Sequence, residues 1–292
     1  MEQLSFINDP RPGPIVNVAM VPQRSPFRYP GGKTWLVPRI REWLASHSTI
    51  PAEFIEPFAG GAIISLTVAF ERLAQHVTMV ELDYQVAAVW HTIINGDGLW
   101  LAERIANFDL TPETVEEALS ESAVTIPDLA FQTILKNRVN RGGILANGAG
   151  KIKHGENGKG LRSRWYPQTL KQRIMDIISV RDRIHFLEGD GLSVMRDNIS
   201  REDVVFFIDP PYTAGGKRAG NRLYTHADLD HEELFRIASE VSGDFLMTYD
   251  NADELYDLAR QYNFDTQLIA MKSTHHAEMT ELLIGRNLDW AR

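Results

Sequence analysis

The residues best placed to do chemistry are Asp209, Pro210, Pro211 and Tyr212, which directly follow the apolar run 204–208. This run predicts a buried strand, so the four residues would lie at the carboxyl edge of a parallel sheet, where open α/β folds bind ligands. The carboxylate and the Pro210 carbonyl can each accept one hydrogen from a flat amine such as a nucleobase amino group, and Tyr212 offers a ring for stacking. Asp-Pro-Pro is also common in plain turns, and the motif alone leaves that interpretation open.

Four other segments have residues suited to ligand binding. Residues 56–62 (Glu-Pro-Phe-Ala-Gly-Gly-Ala) join a predicted strand to a helix, where glycines let the backbone approach a ligand and helix amides are free. Residues 80–83 (Val-Glu-Leu-Asp) end the next strand, and a carboxylate there can accept both hydroxyls of a ribose or be an ordinary acidic strand end. Residues 188–191 (Glu-Gly-Asp-Gly) could accept from an adenine amino group. Residues 27–33 (Phe-Arg-Tyr-Pro-Gly-Gly-Lys) present an aromatic ring and a lysine before a helix.

The elements that would position these segments alternate between strand and helix. Apolar and β-branched runs predict seven strands, and three- and four-residue apolar spacing predicts helices between most of them. Such alternation favours a mainly parallel sheet covered on both faces. The last two strands are separated by only seven residues, 272–278, and should therefore form an antiparallel hairpin. The strands are predicted at 53–57, 77–82, 183–188, 203–208, 244–249, 264–271 and 279–285, and the helices at 34–46, 62–73, 84–95, 228–240 and 251–261.

The interval 96–176 interrupts this alternation and is interpreted as an insertion between the second and third strands. Its first part has helical patterns at 99–108, 113–119 and 128–138, and its second part is rich in glycine. Residues 136–173 hold ten Lys or Arg and one acid, a local balance of +9 in a chain whose net charge is −9. This concentration of positive charge suits phosphates, although a solvated basic loop without a partner would have the same composition.

The composition argues against a disulfide-rich, membrane-spanning or secreted protein. The chain of 292 residues has ordinary globular proportions, with no cysteine for a disulfide, a zinc site or a nucleophile. No apolar stretch reaches the roughly 20 residues that span a bilayer, and the N-terminal residues do not resemble a secretory signal, so a cytoplasmic protein without a membrane partner is expected. No metal site is expected either, because His275 and His276 fall at the predicted hairpin tip, where exposed loop residues are usual.

Together, the order and spacing of the five segments resemble the Dam-type family of DNA adenine methylases, the α-group of amino-methyltransferases. The family pattern has an aromatic-x-Gly-Gly-Lys segment, a Glu-Pro-Phe-x-Gly loop, an acidic second strand end, an inserted target-recognition domain and a final Asp-Pro-Pro-Tyr, all present here between about residues 25 and 286. The resemblance implies transfer of methyl from S-adenosylmethionine to the 6-amino group of adenine in double-stranded DNA after base flipping. Many relatives have a glycine where this chain has Ala62, which would be strained if the position requires a positive φ.

The resemblance also implies roles for individual residues. Asp209, Pro210 and Tyr212 would be catalytic, holding the target base. The cofactor would be bound by Tyr29, Lys33, Glu56, Phe58, Gly60, Gly61, Glu81, Asp190 and Asp209. DNA would be contacted by Arg28, Arg138, Asn140, Arg141, Lys151, Lys153, Arg162 and Arg164. The Gly-rich and basic residues 213–226 would close over the flipped base or the DNA backbone, unless they are only a connector.

The implied architecture is a Rossmann-like α/β methyltransferase of the S-adenosylmethionine-dependent type. Residues 25–95 and 177–292 would form its catalytic domain, 96–176 the helical DNA-binding insertion, and 1–24 a flexible extension. A monomeric enzyme encoded by a bacterium or a phage is expected. The recognition sequence and any association with a restriction enzyme are not encoded in these motifs.

Other functions fit parts of the sequence. Methylation of the 4-amino group of cytosine needs the same geometry at the target amine, and an RNA amino-methyltransferase would share the motifs but not the need for a large duplex-reading insertion. A DNA-binding protein that has lost catalysis would not need Lys33, Glu81, Asp209 and Tyr212 intact. A nicotinamide oxidoreductase would be expected to have the GxGxxG fingerprint, which is absent here.

Overall fold

The computed structural model describes residues 18–29, 31–146, 149–155, 158–211, 229–272 and 278–292. Within them lies one seven-stranded sheet in the order β3-β2-β1-β4-β5-β7-β6. The first five strands are parallel, and β7 is antiparallel to both β5 and β6. The predicted parallel sheet with a terminal hairpin is thus confirmed. The strands are β1 (Glu53–Glu56), β2 (His76–Glu81), β3 (Ile184–Glu188), β4 (Val204–Ile208), β5 (Asp244–Asp250), β6 (Asp265–Lys272) and β7 (Glu278–Gly285).

Helices cover both faces of this sheet. Several helices begin at residues whose side chains cap a helix N-terminus. Asp83 caps α3, and Thr125 forms a capping box at the start of α6. The described helices are α1 (Val37–Ser46), α2 (Ile63–Glu71), α3 (Tyr84–Ile94), α4 (Gly98–Ala106), α5 (Pro112–Ser120), α6 (Ile126–Val139), α7 (Pro167–Val180), α8 (Gly191–Asp197), α9 (His231–Glu240) and α10 (Asp253–Gln261). Short 3-10 turns occur at Val18–Met20, Thr34–Leu36, Arg141–Gly143, Gly160–Arg164, Arg181–Arg183 and Asp289–Ala291.

The central strand β4 is buried along its whole length. Its side chains alternate between two hydrophobic clusters, with Val205 and Phe207 in one and Phe206 and Ile208 in the other. A strand buried on both faces needs a continuous apolar sequence, and this explains why β4 lacks the polar alternation of a half-exposed strand. The same burial fixes the point at which Asp209 emerges from the sheet.

The helices of the expected insertion share the hydrophobic core of the sheet. Leu101 of α4, Ile134 of α6 and Ile174 of α7 are fully buried in the cluster that also contains Val205 and Phe207. The expected domain boundary at residue 176 falls inside α7. The division into a catalytic domain and a DNA-binding insertion stays a prediction.

Two helices, α7 and α8, had no counterpart among the predicted elements. Helix α8 has only seven residues, and α7 begins with Pro167 close behind the Gly-rich basic stretch. None of the described helices combines the length and the apolar composition that crossing a membrane requires. The N-terminal residues 1–17, the segment 212–228 and the hairpin tip 273–277 lie outside the described residues.

Candidate functional site

A cavity of about 500 Å³ opens at the carboxyl edge of the sheet. Residues at the ends of β1, β2 and β4 contribute to its wall, as the strand order requires, because β1 lies between the other two. The segment that leads into α1 lies against the same cavity. All five motif segments therefore meet at one place. Of the expected catalytic and cofactor residues, those on its wall are Tyr29, Lys33, Glu56, Phe58, Gly60, Gly61, Glu81, Asp190, Asp209 and Pro210.

The turn after β1 is shaped by two positive φ angles. Gly60 has φ 47°, and Ala62 has φ 51° and ψ 29°. The backbone of Ala62 is therefore in the left-handed region, which favours the glycine that many members of the family have at this position. A Cβ atom on Gly60 would lie 2.6 Å from Cε1 of Tyr29, and one on Gly61 would lie 2.7 Å from its Cβ. The glycine pair therefore allows the Tyr29 ring to lie directly on the turn, while Trp90 Nε1 donates to the Gly60 carbonyl at 2.8 Å.

Glu81 fixes the end of β2 to this turn. Its two carboxylate oxygens accept from the backbone amides of Gly60 and Asp83, each at 2.8 Å. Burial raises the pKa of Glu81 to about 7, because the two backbone hydrogen bonds do not offset the loss of water. The side chain of the next residue, Leu82, is 48% exposed and lies on the cavity wall.

Glu56 is a second buried carboxylate. Its Oε2 accepts from the amide of Ser65 at 3.0 Å, and burial raises its pKa to about 8, with smaller contributions from the charges of Asp209 and Glu81. Within the described residues, no lysine or arginine forms a salt bridge with Glu56 or Glu81. Uncompensated buried carboxylates favour a cationic ligand, because binding one would offset the cost of ionising them.

The residue at the end of β4 is held by a cation from the N-terminal segment. Lys33 Nζ lies 3.0 Å from Oδ1 of Asp209, and the hydroxyl of Thr248 donates to the same oxygen at 2.8 Å. Lys33 also contacts Glu281 Oε2 at 3.5 Å, and its side chain is only 3% exposed. Burial raises the pKa of Glu281 to about 7 although Lys33 opposes the shift. Asp209 is the more accessible end of this network, with its side chain 21% exposed.

Asp190 has a structural contact in addition to its place on the cavity wall. Its two oxygens accept from the amides of Leu192 and Ser193 at 3.1 and 3.2 Å and so cap α8. Gly191 is required here, because a Cβ atom would lie 2.2 Å from the Pro57 carbonyl oxygen. The cap holds the carboxylate at the rim, where it is exposed and able to accept a further hydrogen bond.

The expected DNA-binding residues fall into three groups that differ in burial. Arg138 and Asn140 are 5% and 6% exposed, and they donate to the carbonyls of Pro26 and Ile144 respectively, so in this structure they hold loops and do not lie on an open surface. Their role as DNA contacts stays a prediction, and a contact by Arg138 would have to be made from the cavity wall, on which its side chain lies. Arg28 and Arg164 are half-buried on the cavity wall. Four others are exposed, namely Arg141, Lys151, Lys153 and Arg162.

The structure adds cavity or network residues that the motifs did not indicate. Thr248 and Glu281 lie on β5 and β7, which carry no segment of the family pattern, and Arg173 lies on the helix that was not predicted. The only sequence signal for Glu281 is an acid within the predicted strand 279–285, which has no other charged residue. Tyr212, residues 213–226 and the two hairpin histidines are among the predicted features that lie outside the described residues. In the part that is described, no three His, Cys, Asp or Glu side chains are grouped as a metal site.

A known protein family matches part of the chain. Residues 29–118 match the model of a family described as D12 class N6 adenine-specific DNA methyltransferase. No curated protein matches the chain. That segment contains the Lys33 motif, the Gly60 turn and the Glu81 strand end, which are three of the five segments on which the resemblance rests.

Three solved structures that the chain resembles are distant matches, each with a TM-score below 0.5. An rRNA methyltransferase, AviRa, from Streptomyces viridochromogenes is 11% identical, with 94% of this chain and 86% of that chain covered and a TM-score of 0.37. A spermidine synthase from Thermotoga maritima is 10% identical, with 86% and 58% covered and a TM-score of 0.38. A precorrin-6y C5,15-methyltransferase from Geobacter metallireducens is 10% identical, with 86% of both chains covered and a TM-score of 0.35.

The residues around the cavity fit S-adenosylmethionine. Glu56 and Glu81 are buried carboxyl groups with raised pKa values, and a bound cation would favour their ionised forms. The Gly60 turn brings backbone close to the cavity, and Leu82 offers an exposed apolar surface on the wall that also holds Asp190. The resemblance to D12-class adenine-specific DNA methyltransferases is confirmed over residues 29–118, and the protein is a methyltransferase that uses S-adenosylmethionine.

Proposed function

We propose that the protein methylates the 6-amino group of adenine in double-stranded DNA and that the target base leaves the helix to enter the cavity. The observation that carries this proposal is the position of Asp209, held by Lys33 and Thr248 at the end of the buried strand β4 and facing a cavity that also contains the cofactor-type residues. The family match over residues 29–118 supports adenine as the base and DNA as the substrate.

Asp209 and Pro210 would orient the target amine. The adenine amino group is a poor nucleophile because its lone pair is delocalised into the ring. A carboxylate and a carbonyl that accept its two hydrogens favour a more tetrahedral nitrogen and direct the lone pair away from the ring plane. S-adenosylmethionine, when bound, supplies an electrophilic methyl group on a sulfonium. After methylation the nitrogen becomes acidic, so Asp209 can take its proton without being a strong base.

Lys33 would act on the target through Asp209. Its ammonium compensates the charge of Asp209 in a site that also holds the buried carboxylates Glu56 and Glu281, and with Thr248 it fixes the Oδ1 atom in place. Fixing the acceptor before the base arrives reduces the reorganisation needed at the moment of reaction. Tyr212, expected to stack on the base, would offset part of the few kcal/mol that flipping costs.

The cofactor would lie along the acidic part of the cavity. By analogy with the family, Glu81 would accept from the ribose hydroxyls, Asp190 from the adenine ring, and Glu56 would face the methionine end together with Gly60. The exposed basic residues of 136–173 would neutralise DNA phosphates or contact base edges in the major groove. Residues 96–176 would thereby act as the target-recognition insertion, although its helices share the core of the sheet.

The experiment that tests this function measures transfer of labelled methyl from S-adenosylmethionine to unmethylated plasmid DNA. Chromatography of the digested DNA should show N6-methyldeoxyadenosine. The substitutions Asp209→Asn and Asp209→Ala should each lower kcat by a factor of about 100 or more, the usual effect of removing a preorganised polar group. Asp182→Asn is the matched control, because Asp182 is an exposed acid in the 3-10 turn that follows α7.

Three results would contradict the proposal. Methyl transfer that is unchanged in Asp209→Ala, with the fold verified by circular dichroism, would remove Asp209 from the mechanism. Label recovered only as N4-methyldeoxycytidine would replace adenine by cytosine as the target. Label that enters RNA but not DNA would exclude the DNA substrate.

A further inference from the structure

Part of the cavity wall is made of arginines. Arg28 comes from the N-terminal segment, Arg138 from α6, Arg164 from the turn before α7, and Arg173 from α7 itself. Arg138 is 5% exposed, and burial together with the charges of the other three lowers its pKa to about 9. The charges of Arg173, Arg28 and Arg164 therefore act on the buried Arg138 and disfavour its charged form.

For Arg138 and Arg173, the hydrogen bonds that the structure shows are to backbone carbonyls, which carry no compensating charge. Arg138 donates to the Pro26 carbonyl, and Arg173 Nη1 donates to the Ser25 carbonyl at 2.9 Å. No carboxylate among the described residues forms a salt bridge with either arginine. The Nε atom of Arg138 is buried without a hydrogen-bond partner. A buried donor left unsatisfied costs free energy unless a ligand completes it, and an anion would satisfy both the donor and the charge.

The start of α7 points to the same conclusion independently. This helix has 14 residues, and its N-cap, Tyr166, makes no side-chain capping hydrogen bond. Tyr166, Thr169 and Leu170 all line the cavity, so the first turn of α7 faces it. A helix N-terminus carries partial positive charge and free amides, and it commonly binds phosphate. In this structure the side chain of Tyr166 does not cap the first amides of α7.

The cavity thus has an acidic part, with Glu56 and Glu81, and a basic part at α6 and α7. We propose that the basic part binds a phosphate group of the DNA strand next to the flipped adenine, through Arg138, Arg173 and the N-terminus of α7. This inference rests on the proposed function. A flipped nucleotide stays bonded to its phosphates, so a base that reaches Asp209 must bring its phosphates to the cavity. Recognition is by backbone charge and is therefore independent of sequence.

The test compares three variants on a duplex containing an adenine that the wild-type protein methylates. Arg173→Gln removes the charge, Arg173→Lys keeps it, and Arg181→Gln removes an exposed charge beyond the other end of α7. The Kd for DNA is measured by fluorescence anisotropy at several salt concentrations. Arg173→Gln should weaken binding about tenfold and lower the slope of log Kd against log salt by about one, the signature of one lost phosphate contact. Arg173→Lys should keep the slope, and Arg181→Gln should match the wild type.

A second measurement locates the phosphate. Replacing the phosphate on either side of the target adenine by a neutral methylphosphonate should weaken wild-type binding at one of the two positions. Arg173→Gln should show no further loss at that position, because the two changes remove the same contact. The Kd for S-adenosylmethionine, measured by calorimetry, should be the same for the wild type and all three variants.

Several outcomes would overturn the inference. If Arg173→Gln weakens S-adenosylmethionine binding and leaves the salt slope unchanged, the basic part binds the carboxylate of the cofactor. If Arg173→Lys loses as much affinity as Arg173→Gln and both unfold at a lower temperature, Arg173 serves only to hold the Ser25 carbonyl. If the wild-type protein methylates DNA and every variant binds DNA with wild-type affinity, the inference of a phosphate site is wrong and the proposed function stands. If the wild type methylates no DNA, the proposed function fails and the phosphate site falls with it.

Discussion

Replacing Glu56 by glutamine should change two properties in opposite directions, because it should stabilise the fold and weaken the binding of a cationic ligand. The two side chains have nearly the same shape, and the amide oxygen of glutamine can still accept from Ser65, which now donates to Oε2 at 3.0 Å. What is lost is the charge. Because Glu56 is 4% exposed, its ionised form is costly in the folded protein, and its pKa is raised from 4.5 to about 8.

The size of the effect follows from this shift. Between pH 4.5 and about 8, Glu56 is protonated in the folded chain and ionised in the unfolded chain. The folded state then binds more protons, so its stability falls as pH rises through this window. At about 1.4 kcal/mol per pKa unit, the cost at pH 7 is roughly 3 kcal/mol as an upper estimate. Glu56→Gln should therefore raise the free energy of unfolding by up to about 3 kcal/mol at pH 7, and by less than about 1 kcal/mol at pH 5.

The assay is urea unfolding at pH 5, 7 and 8 without cofactor, paired with calorimetry of S-adenosylmethionine binding. The stabilised variant should bind the cofactor at least about tenfold more weakly, since a buried ion pair is lost. Glu202→Gln, at an exposed turn position, is the control and should change neither quantity. A variant that is less stable than the wild type at pH 8, or a stability difference that is the same at all three pH values, would refute the reasoning about buried charge. Unchanged cofactor affinity would refute the role of Glu56 in binding.

Three further substitutions test the geometry of the site. Ala62→Gly should stabilise the protein by about 1 kcal/mol in thermal unfolding because glycine adopts the left-handed conformation found there, at φ 51°, without strain; a lower melting temperature would contradict this. Gly60→Ala should weaken S-adenosylmethionine binding in calorimetry, because the added Cβ would lie 2.6 Å from Cε1 of Tyr29 and displace the ring; an unchanged Kd would show that the contact is not needed. Thr248→Val removes the hydroxyl that donates to Asp209 at 2.8 Å, so kcat should fall by about tenfold with little change in KM for DNA; steady-state kinetics with an effect only on KM would argue against a positioning role.

The strand pattern was predictable because each strand is a short apolar run bounded by polar or turn residues. All seven predicted strands appear within two residues of their expected ends, and the short 272–278 connection correctly required the antiparallel pairing of β6 with β7. The meeting of Glu56, Glu81 and Asp209 followed from the rule that parallel strands bring their carboxyl ends to one edge. The place of Lys33 beside them came only from the family resemblance.

Other parts of the site depend on packing that local sequence does not encode. Glu281 faces Lys33 only because β7 is inserted between β5 and β6, and nothing in the residues around it specifies that order. Arg138 resembles any other cation of the basic segment in sequence, yet its place on α6 directs it inward to the Pro26 carbonyl. Charge composition identified the segment as basic but could not distinguish a cation that faces the cavity from one that faces the solvent.

The way Asn137 joins two distant parts of the chain limits how this protein could be re-engineered. Its fully buried side chain accepts from the Arg28 amide at 2.8 Å and donates to the carbonyls of Arg28 and Gly143 at 2.9 and 2.7 Å. A chimaera made by exchanging residues 96–176 for the equivalent part of another enzyme would cut this clamp and the shared core together. Exchange that begins after Leu145 and ends before Trp165 would keep the clamp and these two core side chains, so grafting there is the route by which a new sequence preference could be installed on an intact scaffold.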